Sequence, residues 1–579
     1  MLRFNNYILL LAIVLSLPVF TYGQGIIIPA NAYVIQQNGN LCTQNKFTNN
    51  GSFTANGGTV VFSGSSSQTL NGSTVTAFNN ISVSSGSTTT ISTTGETLRG
   101  ILKCDGTLNA GDNITLLSTA TQTALVDGTG SGTISGNLTM QRYLASAYGY
   151  QYFSSPFTTA TVNEFSNEVD LSSSFPLIYE YDESLPSNGW YHYTTSTDPL
   201  NQFAGYAVNF GTSGTPLTAD ITGVVGNGSI SATLYNTNQT YTKGFNLIGN
   251  PYPSPIDWNA SSGWTKTNID DAIYFFDASN TDQYTGTYSS YINGVSSNGV
   301  ANNIIPSMQA FFVHVTDGTY PVTATLGVNN NVRVNNLNPS FHKTSNEVSY
   351  PILRVKLRYS SEKTVADNMV IYCDQSAAET YDSKLDALKL NNTDTRIPNL
   401  YSISKDRRSL SINAIPYVGD SVTVIPLGIE TEQDGELTLN VEDIQNMPYG
   451  VKAYIIDRQT MTYREISNKQ PYLITNTKGV TKDRYSIVFS KKDLADSRLL
   501  NRDLTAYYAD MYLHVWLNIE TGSSGTLKLY NIGGQLVSST DLDGFGEHKI
   551  YVPYSNGIYL LNFNGQDKLF TKKVFIGNE

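Results

Sequence analysis

Short apolar runs broken by Gly, Asn, Ser and Thr cover most of the chain, and this is the pattern of β-strands joined by turns. Between residues 24 and 143 the pattern repeats loosely, with Asn or Gly at the corners, in residues 51–62, 77–83, 106–117 and 132–138. One such unit cannot bury a face by itself, whereas stacked units can. The region therefore predicts a β-solenoid, and its irregular spacing leaves a β-sandwich with Gly-rich loops as the alternative.

Residues 144–340 carry aromatic-rich strands, which predict a β-sandwich. At their centre, Pro251, Pro253 and Pro255 fix φ at alternate positions and deny the sheet three backbone donors. The strand before them must therefore end there, and the chain must continue as a rigid, extended corner. Tyr252 and Trp258 are placed to pack over that corner, so the passage is interpreted as structural.

The rest of the chain predicts two further β-domains and a linker between them. Residues 346–490 alternate or form short buried runs, as the strands of a second β-sandwich do. Residues 491–503 are charged and lack a β-pattern, which predicts an exposed linker open to proteases. Residues 504–579 contain short apolar and aromatic runs broken by Gly and Asn, the pattern of a small antiparallel β-domain.

The N-terminus predicts export. Arg3 precedes a nearly continuous apolar run over residues 7–20, and Gly23 offers a small residue for cleavage before Gln24. This order is typical of a signal peptide over residues 1–23. A transmembrane helix is the alternative, but the run falls short of the ~20 residues that a span needs. No later stretch is apolar enough to span a bilayer, so we expect no transmembrane segment in the mature chain.

The composition of the chain bears on whether it binds nucleic acid or zinc and on whether it forms a disulfide. Only 14% of the residues are charged and the net charge is −12, without a basic run, so nucleic acid is not expected as a partner. Three cysteines occur, and they form no zinc pattern. Cys42 and Cys104 would pair if they lay on neighbouring coils of the solenoid, and otherwise they would be buried free thiols.

Sequence motifs of catalysis are absent. The five histidines have no metalloprotease spacing, and neither an esterase elbow nor a phosphate loop occurs. We therefore expect no enzyme, no catalytic residues, no cofactor and no metal. His314 is interpreted as a half-buried packing residue. Asp270, Asp271, Asp277 and Asp282 could suit Ca²⁺, but they are better explained as solvated loop acids.

The C-terminal region resembles a known family through three motifs: Gly533-Gly534-Gln535, then Gly557-Ile558-Tyr559-Leu560, then Lys572-Lys573-Val574. They are similar to the hallmarks of the type A C-terminal sorting domain of proteins exported by the type IX secretion system of Bacteroidota. The resemblance implies a small Ig-like β-sandwich over residues 504–579, with Gly533, Gly534, Gly557, Ile558, Tyr559, Lys572, Lys573 and Val574 as the sorting signal. It also implies the secretion machinery as partner, delivery through the periplasm to the outer-membrane surface or the medium, and removal of the tail by cleavage in the linker.

Other passages resemble segments of large adhesin-like surface proteins, above all the proline-rich corner, in which Phe245 replaces the usual Trp. The resemblance implies a non-enzymatic adhesin-like or structural surface protein. The first alternative is a protein that binds an extracellular glycan or surface polysaccharide, with Trp190, Tyr191 and Trp264 as candidate contacts, since aromatic faces stack on sugar rings. The second alternative is a hydrolase with an unrecognised site. The ligand, the oligomeric state and anchoring or release stay open.

Overall fold

The structure is a computed structural model, and it describes residues 25–338, 350–418, 422–460, 462–467, 470–491, 494, 504–509, 511–517, 519, 523–544, 546–565 and 569–577. The predicted signal peptide lies outside the described residues, as does most of the predicted linker. Contacts divide the described residues into two compact units, residues 25–117 with 129–139, and residues 118–128 with those described from 140 to 577. The described residues form strands, turns and two short 3₁₀ segments, Val162–Phe165 and Asn330–Val332, and contain no α-helix. The prediction of an all-β chain is confirmed.

The first unit is a β-solenoid of about five turns, as the loose repeat predicts. Its strands pair in parallel with the next turn, in sheets that run β1-β4-β7-β10-β13-β16, β2-β5-β8-β11-β14 and β3-β6-β9-β12. The first strands of the chain are β1 Ile26–Ile28, β2 Tyr33–Gln36, β3 Asn40–Thr43, β4 Phe47–Asn49, β5 Ser52–Ala55, β6 Thr59–Phe62, β7 Ser67–Asn71, β8 Ala77–Phe78, β9 Asn80–Val83, β10 Thr88–Ile91, β11 Glu96–Leu98, β12 Ile101–Cys104, β13 Thr107–Asn109, β14 Ile114–Leu116, β15 Leu125–Val126 (in the second unit), β16 Thr133–Ser135 and β17 Asn137–Leu144.

Aromatic rings packed edge-to-face or tilted against one another fill the solenoid at its N-terminal end. The ring of Phe47 lies 5.6 Å from Phe53 and 5.8 Å from Phe78, measured between centroids. Glycine is required where neighbouring turns approach most closely: a Cβ on Gly132 would lie 2.0 Å from the carbonyl oxygen of Gly106. Gly132, at the start of one sequence repeat, therefore marks a place where one turn passes over the next.

The three cysteines are free thiols in the structure. Cys42 is on β3 and Cys104 is on β12, so β6 and β9 lie between them in the same sheet. Three strand spacings amount to roughly 14 Å, twice the Cα separation that a disulfide tolerates. Of the two alternatives left open by the sequence, a Cys42–Cys104 pair is therefore excluded, because the two residues are not on neighbouring turns. Cys42 is also exposed, so only Cys104 is a buried thiol in this region.

The aromatic-rich region forms several antiparallel sheets in the second unit. Their orders are β18-β21-β19-β20, β24-β31-β27-β28-β29, β23-β32-β26 and β25-β30. The strands are β18 Tyr150–Phe153, β19 Ile178–Tyr181, β20 Trp190–His192, β21 Tyr206–Asn209, β22 Leu217–Val224, β23 Ile230–Asn236, β24 Phe245–Gly249, β25 Ile256–Asp257, β26 Trp264–Thr267, β27 Ile269–Ala278, β28 Gly286–Ile292, β29 Val295–Ser296, β30 Ile304–Ile305, β31 Ala310–Val315 and β32 Val322–Val328.

The second predicted sandwich is a single large sheet in the order β41-β40-β43-β38-β36-β37-β34-β33-β39-β42, with β35 paired to β37. One face of this sheet closes a core of its own around Leu353, Leu427, Ile455 and Ile487. Its strands are β33 Ile352–Tyr359, β34 Asp367–Cys373, β35 Ala387–Leu388, β36 Asn399–Ile403, β37 Ser409–Ile415, β38 Thr423–Thr431, β39 Gly435–Gln445, β40 Lys452–Asp457, β41 Thr462–Glu465, β42 Tyr472–Asn476 and β43 Gly479–Ser490.

The opposite face of that sheet packs against the aromatic-rich region, and residues of both regions form a further hydrophobic core there. Phe245, Tyr274 and Phe312 come from the first region. Tyr372 and Leu410 come from the second. Residues 140–338 and 350–491 therefore lie in the same compact unit.

The C-terminal region folds into two facing antiparallel sheets, β44-β45-β48 and β47-β46-β49-β50. Leu513, Val515, Leu529, Leu561 and Phe563 are buried between them. The strands are β44 Leu504–Ala509, β45 Tyr512–Leu517, β46 Ser524–Asn531, β47 Leu536–Asp543, β48 Gly546–Tyr551, β49 Gly557–Gly565 and β50 Leu569–Ile576. This is the small β-sandwich that the C-terminal pattern predicts.

Candidate functional site

The first sorting motif is a tight turn between β46 and β47. The side-chain oxygen of Asn531 accepts hydrogen bonds from the N–H groups of Gly533 and Gln535, each at 3.0 Å. Gly534 has a φ of +79°, in the left-handed region that favours glycine. The motif therefore fixes the shape of the turn.

The second and third motifs are paired strands. β49 lies between β46 and β50, with Tyr559 opposite Val574 and Leu560 opposite Lys573. Tyr559 and Val574 point into the core and are buried, and the Tyr559 hydroxyl donates to the carbonyl oxygen of Ser555 at 2.9 Å. These two residues of the sorting signal thus hold the sandwich together.

The other face of β49 and β50 is exposed and mixes apolar residues with the polar Asn562, Asn564 and Thr571. Ile558 and Leu560 on β49 are 37% and 45% exposed, and Phe575 and Leu569 on β50 are 64% and 65% exposed. Lys573 lies among them, opposite Leu560. An exposed apolar row on a small domain is typical of a surface that binds a partner. We call these five residues the outer row.

The three glycan candidates do not come together in the structure. Trp190 is half-buried, with its ring 5.6 Å from Tyr152 and 5.0 Å from Tyr181. Trp264 is half-buried against Trp258, at 4.7 Å. Trp190 and Trp264 therefore serve mainly in packing.

Tyr191 is 42% exposed, and its hydroxyl donates to Glu180 at 2.6 Å. It is the one candidate of the three whose ring is open to solvent.

A row of exposed and half-buried rings was missed by the sequence analysis. Phe175 and Tyr284 are 49% and 51% exposed, and their ring centroids are 5.6 Å apart. Tyr284 lies 6.4 Å from Tyr150, which lies 6.1 Å from Tyr179. These residues are far apart in the chain, and Tyr is common throughout it, so no local pattern distinguishes them. We call the four residues the aromatic row.

A cleft of about 570 Å³ opens in the second unit and is lined mainly by residues of the aromatic-rich region. Tyr152 and Phe276 supply stacked rings, and Gln151, Gln309 and Asp277 supply polar groups, to its lining. Arg142 also lines it, and burial lowers the pKa of its guanidinium to about 10. Rings beside donors and acceptors suit a ligand that has both apolar faces and hydroxyl groups.

The proline-rich corner is closed by hydrogen bonds on every side. The buried Asn250 amide donates to the carbonyl oxygens of Ser254, Ile305 and Pro306 at 2.9, 3.1 and 3.0 Å. Its side-chain oxygen accepts from the N–H of Tyr252 at 3.0 Å. The corner is thus a structural element, as the sequence predicts.

Arg333 and Trp258 complete the corner. The Arg333 guanidinium lies 5.0 Å from the ring of Tyr252 and donates to Ser254 at 2.6 Å. Trp258 is 2% exposed, and its indole N–H donates to the carbonyl oxygen of Asp271 at 2.8 Å. These contacts leave the corner without an open face for a ligand.

His314 and Asp270 differ from their predicted roles. Each is 1% exposed, and the His314 Nδ1 lies 2.5 Å from the Asp270 carboxylate. Tyr381 and Thr316 donate to the same carboxylate at 2.6 and 2.7 Å. His314 is therefore fully buried, and Asp270 is not a solvated loop acid. Neighbouring strands β27 and β31 bring them together, and the carboxylate is occupied by protein donors, so the pair is structural.

The other three acids are placed as follows. Asp271 pairs with Lys266 at 3.3 Å, while Asp277 and Asp282 are exposed. Among the described residues, no group of three or more His, Cys, Asp or Glu is arranged to hold a metal ion.

No helix within the residues that the structure describes is long and apolar enough to cross a membrane.

Comparison with known proteins gives two family matches. Residues 36–489 match a family described as a domain of unknown function, DUF8693. The chain belongs to this family. Residues 513–577 match the secretion system C-terminal sorting domain. The tail is therefore a sorting domain, the chain is a substrate of the type IX secretion system, and the protein is secreted or displayed at the cell surface.

Other comparisons add little. No curated protein matches the chain. A solved structure, the dimeric latent PorU from Porphyromonas gingivalis, is similar at 11% identity with a TM-score of 0.12. The match covers 67% of this chain and 36% of that one, so the chain spans about a third of the length of that protein.

Proposed function

We propose that this protein is a non-enzymatic, adhesin-like or structural protein of the cell surface. The observation that carries the proposal is the sorting domain with its outer row, joined to a large, tightly hydrogen-bonded β-body. The buried His314–Asp270 pair offers no reacting group to a substrate, since its carboxylate is filled by Tyr381 and Thr316. A solenoid and a large β-sheet present extended surfaces, which suit adhesion better than chemistry.

The outer row is the surface that we assign to the secretion machinery. Changing Leu560 to Lys would place a charge in the row without entering the core, because Leu560 is 45% exposed. We expect the variant to fold and to accumulate in the periplasm. Ser539→Lys is the matched control, because Ser539 is an exposed residue of β47 outside the row. Normal surface delivery of the Leu560 variant would contradict the assignment.

Adhesion itself is tested on whole cells. Cells that display the protein should attach to a surface or to neighbouring cells more than cells that lack it, when both are compared at equal density. Equal attachment would contradict the adhesin-like role and leave the delivery role intact.

Glycan binding is the second candidate function, and the aromatic row favours it. Its rings are 5.6 to 6.4 Å apart and tilted or edge-to-face, so a sugar would stack on single exposed ring faces, such as that of Tyr284. We expect Tyr284→Ala to weaken binding of the purified protein to soluble polysaccharides in affinity electrophoresis. Tyr449→Ala is the control, because Tyr449 is 99% exposed and lies outside the row. Equal binding by both variants would remove this candidate site.

A further inference from the structure

Trp516 of the sorting domain is buried outside the core of its own domain. Along β45, Leu513, Val515 and Leu517 enter that core. Trp516 faces the other way, as alternation along a strand requires, and yet it is only 4% exposed. Another part of the chain must therefore cover it.

The cover is the large sheet of residues 350–491. Tyr454 and Ile456 of β40 and Val488 of β43 are 1%, 2% and 0% exposed, and they cluster with Trp516. Their strand neighbours Ile455 and Ile487 point into the opposite core. The outer face of these strands is thus an apolar slot that the indole fills.

Leu494 belongs to the same cluster and is 1% exposed. It lies within the segment that the sequence predicts to be an exposed linker. At this residue the prediction is wrong, because the side chain is covered by the slot and the indole. The rest of that segment, apart from Lys491, lies outside the described residues.

Two polar contacts also join the sorting domain to the large sheet. The Arg458 guanidinium donates to the carbonyl oxygen of Ile519 in the sorting domain. Lys405 lies 3.6 Å from Asp543, but both side chains are more than half exposed, so this pair adds little. The apolar contact is the main attachment.

We propose that the sorting domain docks on the large sheet of residues 350–491 through Trp516, and that docking restricts proteolysis of the linker by holding Leu494. A large aromatic side chain in a desolvated apolar slot is the usual anchor of such an interface. The inference concerns two parts of this chain and stands whether or not the protein is an adhesin.

The test is limited trypsin digestion of the full chain, which has Lys491, Lys492, Arg498 and Arg502 in the linker sequence. Trp516→Ala should raise the rate of cleavage there by about tenfold, since a protease needs local opening of its target. Tyr551→Ala is the control, because it is a 54% exposed aromatic of the same domain. A rate unchanged by Trp516→Ala would overturn the proposal.

Hydrogen exchange of β49 checks that the sorting domain of the Trp516 variant is still folded. If β49 loses protection in the Trp516 variant, Ile456→Ala provides the test instead. This variant alters the surface that covers Trp516 and leaves the sorting domain unchanged. Faster linker cleavage in that variant supports docking, and an unchanged rate overturns it.

Discussion

Replacing Trp258 by Ala should destabilise the second unit strongly. The side chain is 2% exposed, and its ring contacts Trp264 at 4.7 Å and Phe311 at 5.8 Å. The Lys266 ammonium lies 3.6 Å from the ring centroid. Removal of a buried Trp costs about 3–5 kcal/mol through lost burial and the cavity left behind.

Two further losses add to that cost. The carbonyl oxygen of Asp271 loses its indole donor, worth about 1 kcal/mol, and Lys266 loses a cation–π contact of about 0.5–2 kcal/mol. Because these terms overlap, we expect a total of roughly 4–6 kcal/mol.

The measurement is the free energy of unfolding in urea. Trp264→Ala is the control, and it should cost less because Trp264 is only half-buried. If Trp258→Ala left unfolding unchanged and abolished glycan binding, the corner would be a binding site and the structural interpretation would be wrong.

Asn250, Glu96 and the N-terminus give three other predictions. Asn250→Ala should cost about 2–4 kcal/mol in urea unfolding, because it leaves buried carbonyl groups without donors; no loss would contradict the role of the amide. Burial raises the pKa of Glu96 from 4.5 to about 7, so its contribution to stability is complete below pH 4.5 and is lost as the pH rises through 7. Glu96→Gln should therefore flatten the pH dependence of solenoid unfolding between pH 4 and 8, and an unchanged slope would refute this. Signal-peptide removal should leave Gln24 first, which N-terminal sequencing checks; retention of Arg3 would contradict it.

The period of the apolar pattern was enough to predict the strands, the solenoid and the proline-rich corner. Alternation tells which face of a strand is buried, and prolines tell where a strand must stop. Both are local properties of the sequence. The contacts of Asn250 and Trp258 show that the corner forms where the prolines predict it.

Contacts between distant strands could not be predicted in this way. Alternation does not say which partner covers a face, so the shared core around Phe312 and Tyr372 and the slot for Trp516 were missed. The His314–Asp270 pair depends on the adjacency of β27 and β31, and the separation of Cys42 from Cys104 depends on the number of turns between them.

Surface labelling of cells is the most direct test of the central claim that the C-terminal domain delivers this protein. The intact protein should be labelled at the surface or recovered from the medium. A chain that lacks residues 504–579 should stay in the periplasm, with the rest of the protein folded and the Trp516 slot uncovered. Labelling of the truncated chain at the surface would contradict the account.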